Sequence, residues 1–428
     1  MSVKRVLSDG SIYRKTILSN GLRVVTEKIP SVRSISLGVW VDVGARNESA
    51  SENGVTHMIE HMLFKGTKKR TAQQIASEIE NLGGSLNAFT SRENTCYLAR
   101  VMYEHLDTAV DVLADLSQNA TLTPANLAKE KKVICEEIKE SLENPSDHVY
   151  DLFAKAYWGN HPLGQPILGS IKTVSGMPRT RLVSYMKRNY KNRSVVIAAS
   201  GAVSHEKLVR LAKEKFDFAD GTAESGLAAK RSKDRTISLN PDGINQTHIC
   251  IGFPGVKYAD NERTPALAIA TYLGGGMSSV LFQKIREEKG LAYSVYTYHD
   301  SYRDAGIFGA YLATDAKGAP AAVSIIVQEC AKLKKKKLTK EKLDQIRAQL
   351  IGNLTLGMES TSARMNRLAR QELILGDYRS LDDTIKEIEK LKATGILNLA
   401  NHLFDLSNVA VAVKGPAQKK ALEHALQN

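Results

Sequence analysis

Cysteine is scarce in this chain. There are four in 428 residues, Cys96, Cys135, Cys250 and Cys330, and none stands in a Cys-x-x-Cys pair. Spacing this wide excludes a zinc knuckle and a disulfide framework, and reads as reduced thiols in a cytosol-like compartment. Long apolar runs are missing as well. No stretch approaches the roughly 20 residues needed to cross a bilayer, so no membrane span is expected. Met1–Gly10 has charges but no apolar core and no small-residue cleavage signal, and nothing there marks the chain for secretion. The cytoplasm is the expected compartment, with the mitochondrial matrix as the alternative. Acidic residues are in deficit: 46 against 59 Lys and Arg, a net charge of +13. The excess is spread along the chain. Its densest run, Lys332–Lys337 with Lys340 and Lys342, reads as a solvated helix face. No nucleic-acid module motif is present, and no nucleic-acid partner is expected.

What the chain does contain begins at Gly54–Phe64, with the order His57-Met-Ile-Glu60-His61. On a helix, positions i and i+4 project from one face, so both imidazoles reach one ion. Neutral imidazoles suit zinc, and a catalytic zinc keeps one position open for water. Glu60 lies on the rim of that face, where it reaches such a water without being a ligand. The order is the inverse of the commoner zinc-protease motif. Two histidines hold zinc weakly, and the best carboxylate candidates lie in Glu130-Lys-Lys-Val-Ile-Cys-Glu136-Glu137. Glu130 and Glu137 are two turns apart and share a face, whereas Glu136 points away.

The rest of the pattern predicts an α+β chain. Lys15–Glu27 reads as a hairpin turning at Asn20-Gly21, and Ser34–Val43 as a half-buried strand. Helices are predicted from Thr71 to Gly83-Gly84, over Pro124–Glu143, over Asp147–Trp158 and over Arg181–Tyr190. Ser85–Val101 has strand character, and Ser194–Ala202 reads as a buried strand. The Gly, Ala, Ser, Lys and Asp content of 219–243 marks a linker. The second half then repeats the first. Thr247–Phe253 stands where Ile35–Val41 stood, Ile285–Val295 parallels Ile79–Phe89, and Asn408–Gly415 parallels Ser194–Gly201 without a gap. Two similar sandwich domains of about 210 residues follow, 1–218 and 244–428, each an antiparallel-rich sheet with packed helices. Only the first carries the histidine pair. Gly274-Gly275-Gly276 lacks the ending of a phosphate loop and reads as a strand-to-helix turn.

His57-Met-Ile-Glu60-His61, seventy-five intervening residues, then Glu137 in Val-Ile-Cys-Glu-Glu-Ile resembles the inverzincin peptidases: the insulinase, pitrilysin and mitochondrial processing peptidase family. Phe64–Arg70, Glu80–Glu93 and Gly274-Gly-Gly-Met-Ser-Ser extend the resemblance over nearly the whole chain. It is strongest to the catalytic subunit of the mitochondrial processing peptidase and its bacterial relatives. The resemblance implies a zinc endopeptidase for extended peptides or presequence-like segments. It makes His57, His61 and Glu137 the ligands of one zinc per chain and Glu60 the general base for the water on it. Glu130 becomes a carboxylate that orients the site, and Arg286 and Tyr293 the donors to the developing oxyanion. It also implies an edge strand at Asn87-Ala88-Phe89-Thr90 that adds the peptide substrate by β-augmentation. Asp147 and Asp151 match an acidic pair that binds a substrate arginine. Family members close as a clamshell of four such domains and one chain supplies two, half a clamshell. A homodimer is therefore expected, with the zinc set of one subunit meeting Arg286 and Tyr293 of the other. The alternative is a catalytically silent scaffold subunit of the same family.

Overall fold

The computed structural model describes residues 2–232, 237–240 and 244–427. Within the expected linker 219–243, residues 233–236 and 241–243 lie outside the described residues. By contacts the chain forms two compact units that are not linear in sequence. The first comprises Met1–Ile138, Gln165–Leu227 and Leu356–Ser380; the second comprises Lys139–Gly164, Ala228–Thr355 and Leu381–Asn428.

The first unit is built on seven strands: β1 (Ser2–Val6), β2 (Ile12–Ile17), β3 (Arg23–Lys28), β4 (Ser34–Val41), β5 (Ser85–Thr90), β6 (Thr95–Met102) and β7 (Val195–Gly201). Their order is β1-β2-β3-β7-β4-β6-β5, antiparallel except for β3 beside β7. The expected hairpin is β2–β3. The charged strand β1 was not legible in advance. β4 departs from expectation. Its Leu37, Val39 and Val41 face the main core, as the alternation predicts. The opposite face is buried too, with Trp40 packed against Met365, Leu368 and Ala369. The helix Thr361–Leu375 lies there, and Ser36 Oγ bonds Thr361 Oγ1 at 2.8 Å. A half-buried pattern becomes a fully buried strand because a segment over 300 residues downstream covers its polar face.

The second unit repeats the weave. Its strands are β8 (Ile237–Asn240), β9 (Thr247–Gly255), β10 (Ala292–Ser301), β11 (Gly306–Thr314) and β12 (Ala410–Lys414), in the order β10-β11-β9-β12-β8. Only β8–β12 is parallel. This is the order β5-β6-β4-β7-β3 over again, and the antiparallel registers agree: Ala198 faces Gly38 as Ala412 faces Cys250. The covering helix is exchanged as well. Pro145–Trp158, from the first half of the sequence, packs Val149, Phe153 and Tyr157 on Cys250, Ile307 and Ala412. Each half of the chain thus covers the outer face of the sheet built by the other. That is why the contact grouping leaves sequence order at 139–164 and 356–380.

Helix ends follow local chemistry. Thr71 accepts from the Gln74 N–H, closing a capping box at the start of Ala72–Glu80. The long helix runs Pro124–Glu143. The lysine run ends the helix Ala319–Lys335, where Lys332 pairs with Glu329 at 2.7 Å and Lys334 donates to the Phe404 carbonyl. The three glycines make a helix terminus rather than a strand-to-helix turn. Gly274 ends the helix Arg263–Gly274, and a Cβ there would strike the backbone of Thr297.

Candidate metal centre

The histidine helix spans Val55–Leu63. Met58, Ile59, Met62 and Leu63 are fully buried and hold one face in the core. Its N-terminus is gripped by a residue the sequence did not single out. Glu48 is 1% exposed. Its two carboxylate oxygens accept from the Gly54 and Thr56 N–H groups at 2.8 Å each and from Asn53 Nδ2 at 3.1 Å. Burial pushes this carboxyl up to about 7, against the pull of those donors. A carboxyl at a helix N-terminus satisfies otherwise orphaned donors, and its ionised form interacts favourably with the positive end of the helix dipole. Gly54 sits at φ +90°, a conformation that favours glycine.

On the opposite face the predicted set comes together. The His57 and His61 rings are 4.6 Å apart. Glu137 Oε2 lies 3.9 Å from His57 Nε2 and 3.5 Å from His61 Nε2. One ligand atom from each of the three residues falls within 4.8 Å of the others. Tetrahedral zinc with bonds of 2.0–2.1 Å sets its ligand atoms about 3.4 Å apart, so the group needs only a small contraction. Glu136, the neighbour expected to point away, is exposed.

Electrostatics makes the case for a cation. Burial first, and the neighbouring His61 second, lower His57 to about 4, so it is neutral near pH 7. His61 Nδ1 lies 3.2 Å from Glu130 Oε2, a contact that orients the ring with Nε2 toward Glu137. Glu130, 5% exposed, is held in turn by Lys65 Nζ at 3.0 Å. Glu137 Oε2 is buried and accepts no hydrogen bond. Two imidazole nitrogens and a carboxylate oxygen therefore converge, the oxygen with no hydrogen-bond partner among the described residues, an arrangement that a divalent cation satisfies. Two nitrogens and one oxygen suit zinc, with a fourth position open.

Glu60 stands beside this group. It is partly buried, and its Oε2 accepts from Thr90 Oγ1 at 2.5 Å. Burial raises its carboxyl above the usual range, while the Thr90 hydroxyl opposes the rise. Thr90 closes β5, an edge strand of the first sheet, with one side unpaired among the described residues. Along that strand Leu86 and Ala88 pack toward the main core, and Phe89 packs edge-on to Trp40 on the other face. Asn87 Oδ1 accepts from the Ala88 N–H at 2.8 Å.

The remaining predicted residues belong to the second unit. Arg286 lies in Phe282–Glu288, which winds as a π-helix, a form common at functional sites. Its Nη1 donates to the Tyr293 carbonyl at 2.9 Å, and its guanidinium lies 4.5 Å from the Tyr293 ring and 4.8 Å from the Phe282 ring. The two residues thus meet, and Tyr293 is 73% exposed. Asp147 lies in the first turn of Pro145–Trp158, where Asn144 Nδ2 donates to it at 2.7 Å. Asp151 follows one turn later, half-buried.

Comparison with known proteins follows the two halves. Residues 23–171 match the family profile described as insulinase (peptidase family M16), and residues 176–350 match the peptidase M16 inactive domain. A Bacillus subtilis protein named uncharacterized zinc protease YmxG is 38% identical over 95% of this chain and 99% of its own length. An uncharacterized zinc protease of Streptomyces coelicolor is 37% identical over 95% of this chain and 90% of its own. In fold, the chain is similar to the crystal structure of a protease from Helicobacter pylori, with a TM-score of 0.87, 23% identity, and coverage of 94% of this chain and 99% of that one.

Proposed function

From the premise that the chain belongs to the insulinase family of peptidases (peptidase family M16), we propose that it is a zinc-dependent endopeptidase acting on extended peptide segments. The observation that carries this reading is the convergence of His57, His61 and Glu137 beside Glu60, with Glu137 Oε2 lacking a hydrogen-bond partner among the described residues.

His57, His61 and Glu137 would hold zinc, which when bound polarises a carbonyl and acidifies water. The rest is the work of side chains. Glu130 orients the ring of His61 and keeps its Nε2 aimed at the shared point. Glu60, held on one oxygen by Thr90, accepts the proton of the attacking water and passes it to the leaving amine. Strand β5 offers an edge, unpaired among the described residues, on which a peptide adds backbone to backbone, so binding there is broad in sequence. Asn87 covers one donor of that edge, and an incoming strand displaces it. Asp147 and Asp151 are the candidates for an arginine preference, through a carboxylate pair that matches a guanidinium fork.

The finer reading is a homodimer in which Arg286 and Tyr293 stabilise the oxyanion in the partner subunit's site. Mixing Glu60→Gln chains with Arg286→Ala chains tests it. Recovery of activity in the mixture is expected, and two dead parents giving a dead mixture overturns it. Among the described residues no helix is long and apolar enough to cross a membrane, and all four cysteines are unpaired thiols. The thiols support a reducing compartment, for which we propose the cytoplasm. A silent scaffold would have no use for a base poised beside a ligand set. The direct test is cleavage-site profiling on a peptide library with wild type and Glu60→Gln: cuts by the first and none by the second are expected, and identical profiles would refute the reading.

A further inference from the structure

We propose that Thr90 is a positioning residue that couples occupation of the edge strand to the aim of Glu60. The inference rests on the peptidase reading above and adds to it the link between substrate binding and base.

Three observations carry it. First, Thr90 Oγ1 donates to Glu60 Oε2 at 2.5 Å, and a bond from a hydroxyl to a carboxylate fixes that oxygen firmly. The second carboxylate oxygen is left for the proton. Second, Thr90 is the last residue of the strand whose outer edge is unpaired among the described residues, and it is paired to Thr95 on β6. Third, the chain is anchored immediately beyond it. Ser91 N–H donates to the Asn94 carbonyl at 2.8 Å, and Ala45 N–H donates to the Ser91 carbonyl at 3.1 Å. Arg46 N–H donates to the Arg92 carbonyl at 2.7 Å, and Thr95 Oγ1 donates to the Val43 carbonyl at 2.9 Å. Strand β5 is therefore fixed at its C-terminal end and open along one side. A peptide that pairs along Ser85–Thr90 supplies the missing ladder and removes the freedom of the strand to twist. The Thr90 hydroxyl is what this ordering reaches on the catalytic side. Chain length beyond the scissile bond then raises kcat, because binding at a remote part of the substrate is used to orient the reacting groups.

The test compares wild type, Thr90→Val and Thr90→Ser on a series of oligopeptides of increasing length with one cleavage site. Wild type should show kcat rising with length. Thr90→Val keeps the shape and loses the hydroxyl. It should lose about 10- to 100-fold in kcat with KM little changed, and its kcat should no longer rise with length. Thr90→Ser should restore both features. Zinc content and melting temperature, read in parallel, should match wild type in all three. Unchanged kcat in Thr90→Val, a loss confined to KM, a loss accompanied by missing zinc, or a length dependence equal to that of wild type would overturn the proposal. A wild-type enzyme that cuts no peptide would instead refute the peptidase reading on which the proposal rests.

Discussion

The two units share a five-strand weave, to which the first adds β1 and β2, and they carry different chemistry on the helix that follows the matching strands β4 and β9. Where the first carries Val55–Leu63 with His57, Glu60 and His61, the second carries Arg263–Gly274, which contains no histidine, cysteine or acid. Even small devices are repeated. Gly201 ends β7 at φ +123° and Gly415 follows β12 at φ +132°, and a Cβ on either would strike the backbone carbonyl of Ser34 or Gln246 on the segment beside it. The comparison teaches that the sheet sets positions and leaves chemistry free. The same edge strand lies near a metal-ligand group in one unit, and in the other it begins with an arginine–tyrosine stack. Fold similarity alone therefore does not transfer activity from one half to the other.

The sharpest way to break the comparison is to make the first unit chemically like the second. Glu60→Gln should lower kcat by about 10³- to 10⁴-fold while zinc is retained, read by steady-state kinetics and metal analysis. In the other unit, Arg286→Ala should cost about 10²-fold in kcat, with zinc content and melting temperature unchanged. A large effect on folding there would make the stack structural.

Glu48 has a smaller, pH-dependent effect. Its native carboxyl keeps its proton up to about pH 7, against an ordinary 4.5, so the native state binds that proton more tightly than the unfolded state. The stability it contributes is full below 4.5 and is lost as pH rises through 7. Relative to Glu48→Gln, which does not titrate, wild type should lose up to about 1.4 kcal/mol per pH unit across that window. Urea unfolding of both proteins at pH 5 and pH 8 measures it; a pH-independent difference would mean that the group stays charged. Smallest, and shared by the two units, are Gly201→Ala and Gly415→Ala, each expected to destabilise by about 1–3 kcal/mol in thermal unfolding. A neutral result at one site would show that the repeat there is sequence alone.

Local chemistry was legible in the sequence. Thr71, Pro124 and Pro145 mark helix ends that the structure shows within a few residues, and the i, i+4 histidines mark the metal helix; spacing left Glu130 and Glu137 both open as the third ligand, and only the family resemblance singled out Glu137. The repeat was visible because β-strand alternation and terminal glycines survive duplication. What was hidden depends on long-range burial. Glu48 reads as one more surface acid until a helix N-terminus closes on it. Thr90 reads as a strand residue, and only the folded hairpin brings its hydroxyl to Glu60. The exchange of Pro145–Trp158 and Thr361–Leu375 between sheets has no local signal, since an amphipathic helix carries no address for the face it will cover.

The most direct test is the metal content of purified protein, resupplied with zinc and freed of excess, for wild type, His61→Ala and Glu60→Gln. We expect one zinc per chain in wild type and in Glu60→Gln, and none in His61→Ala. Wild type without metal, or His61→Ala with as much as wild type, would contradict the account.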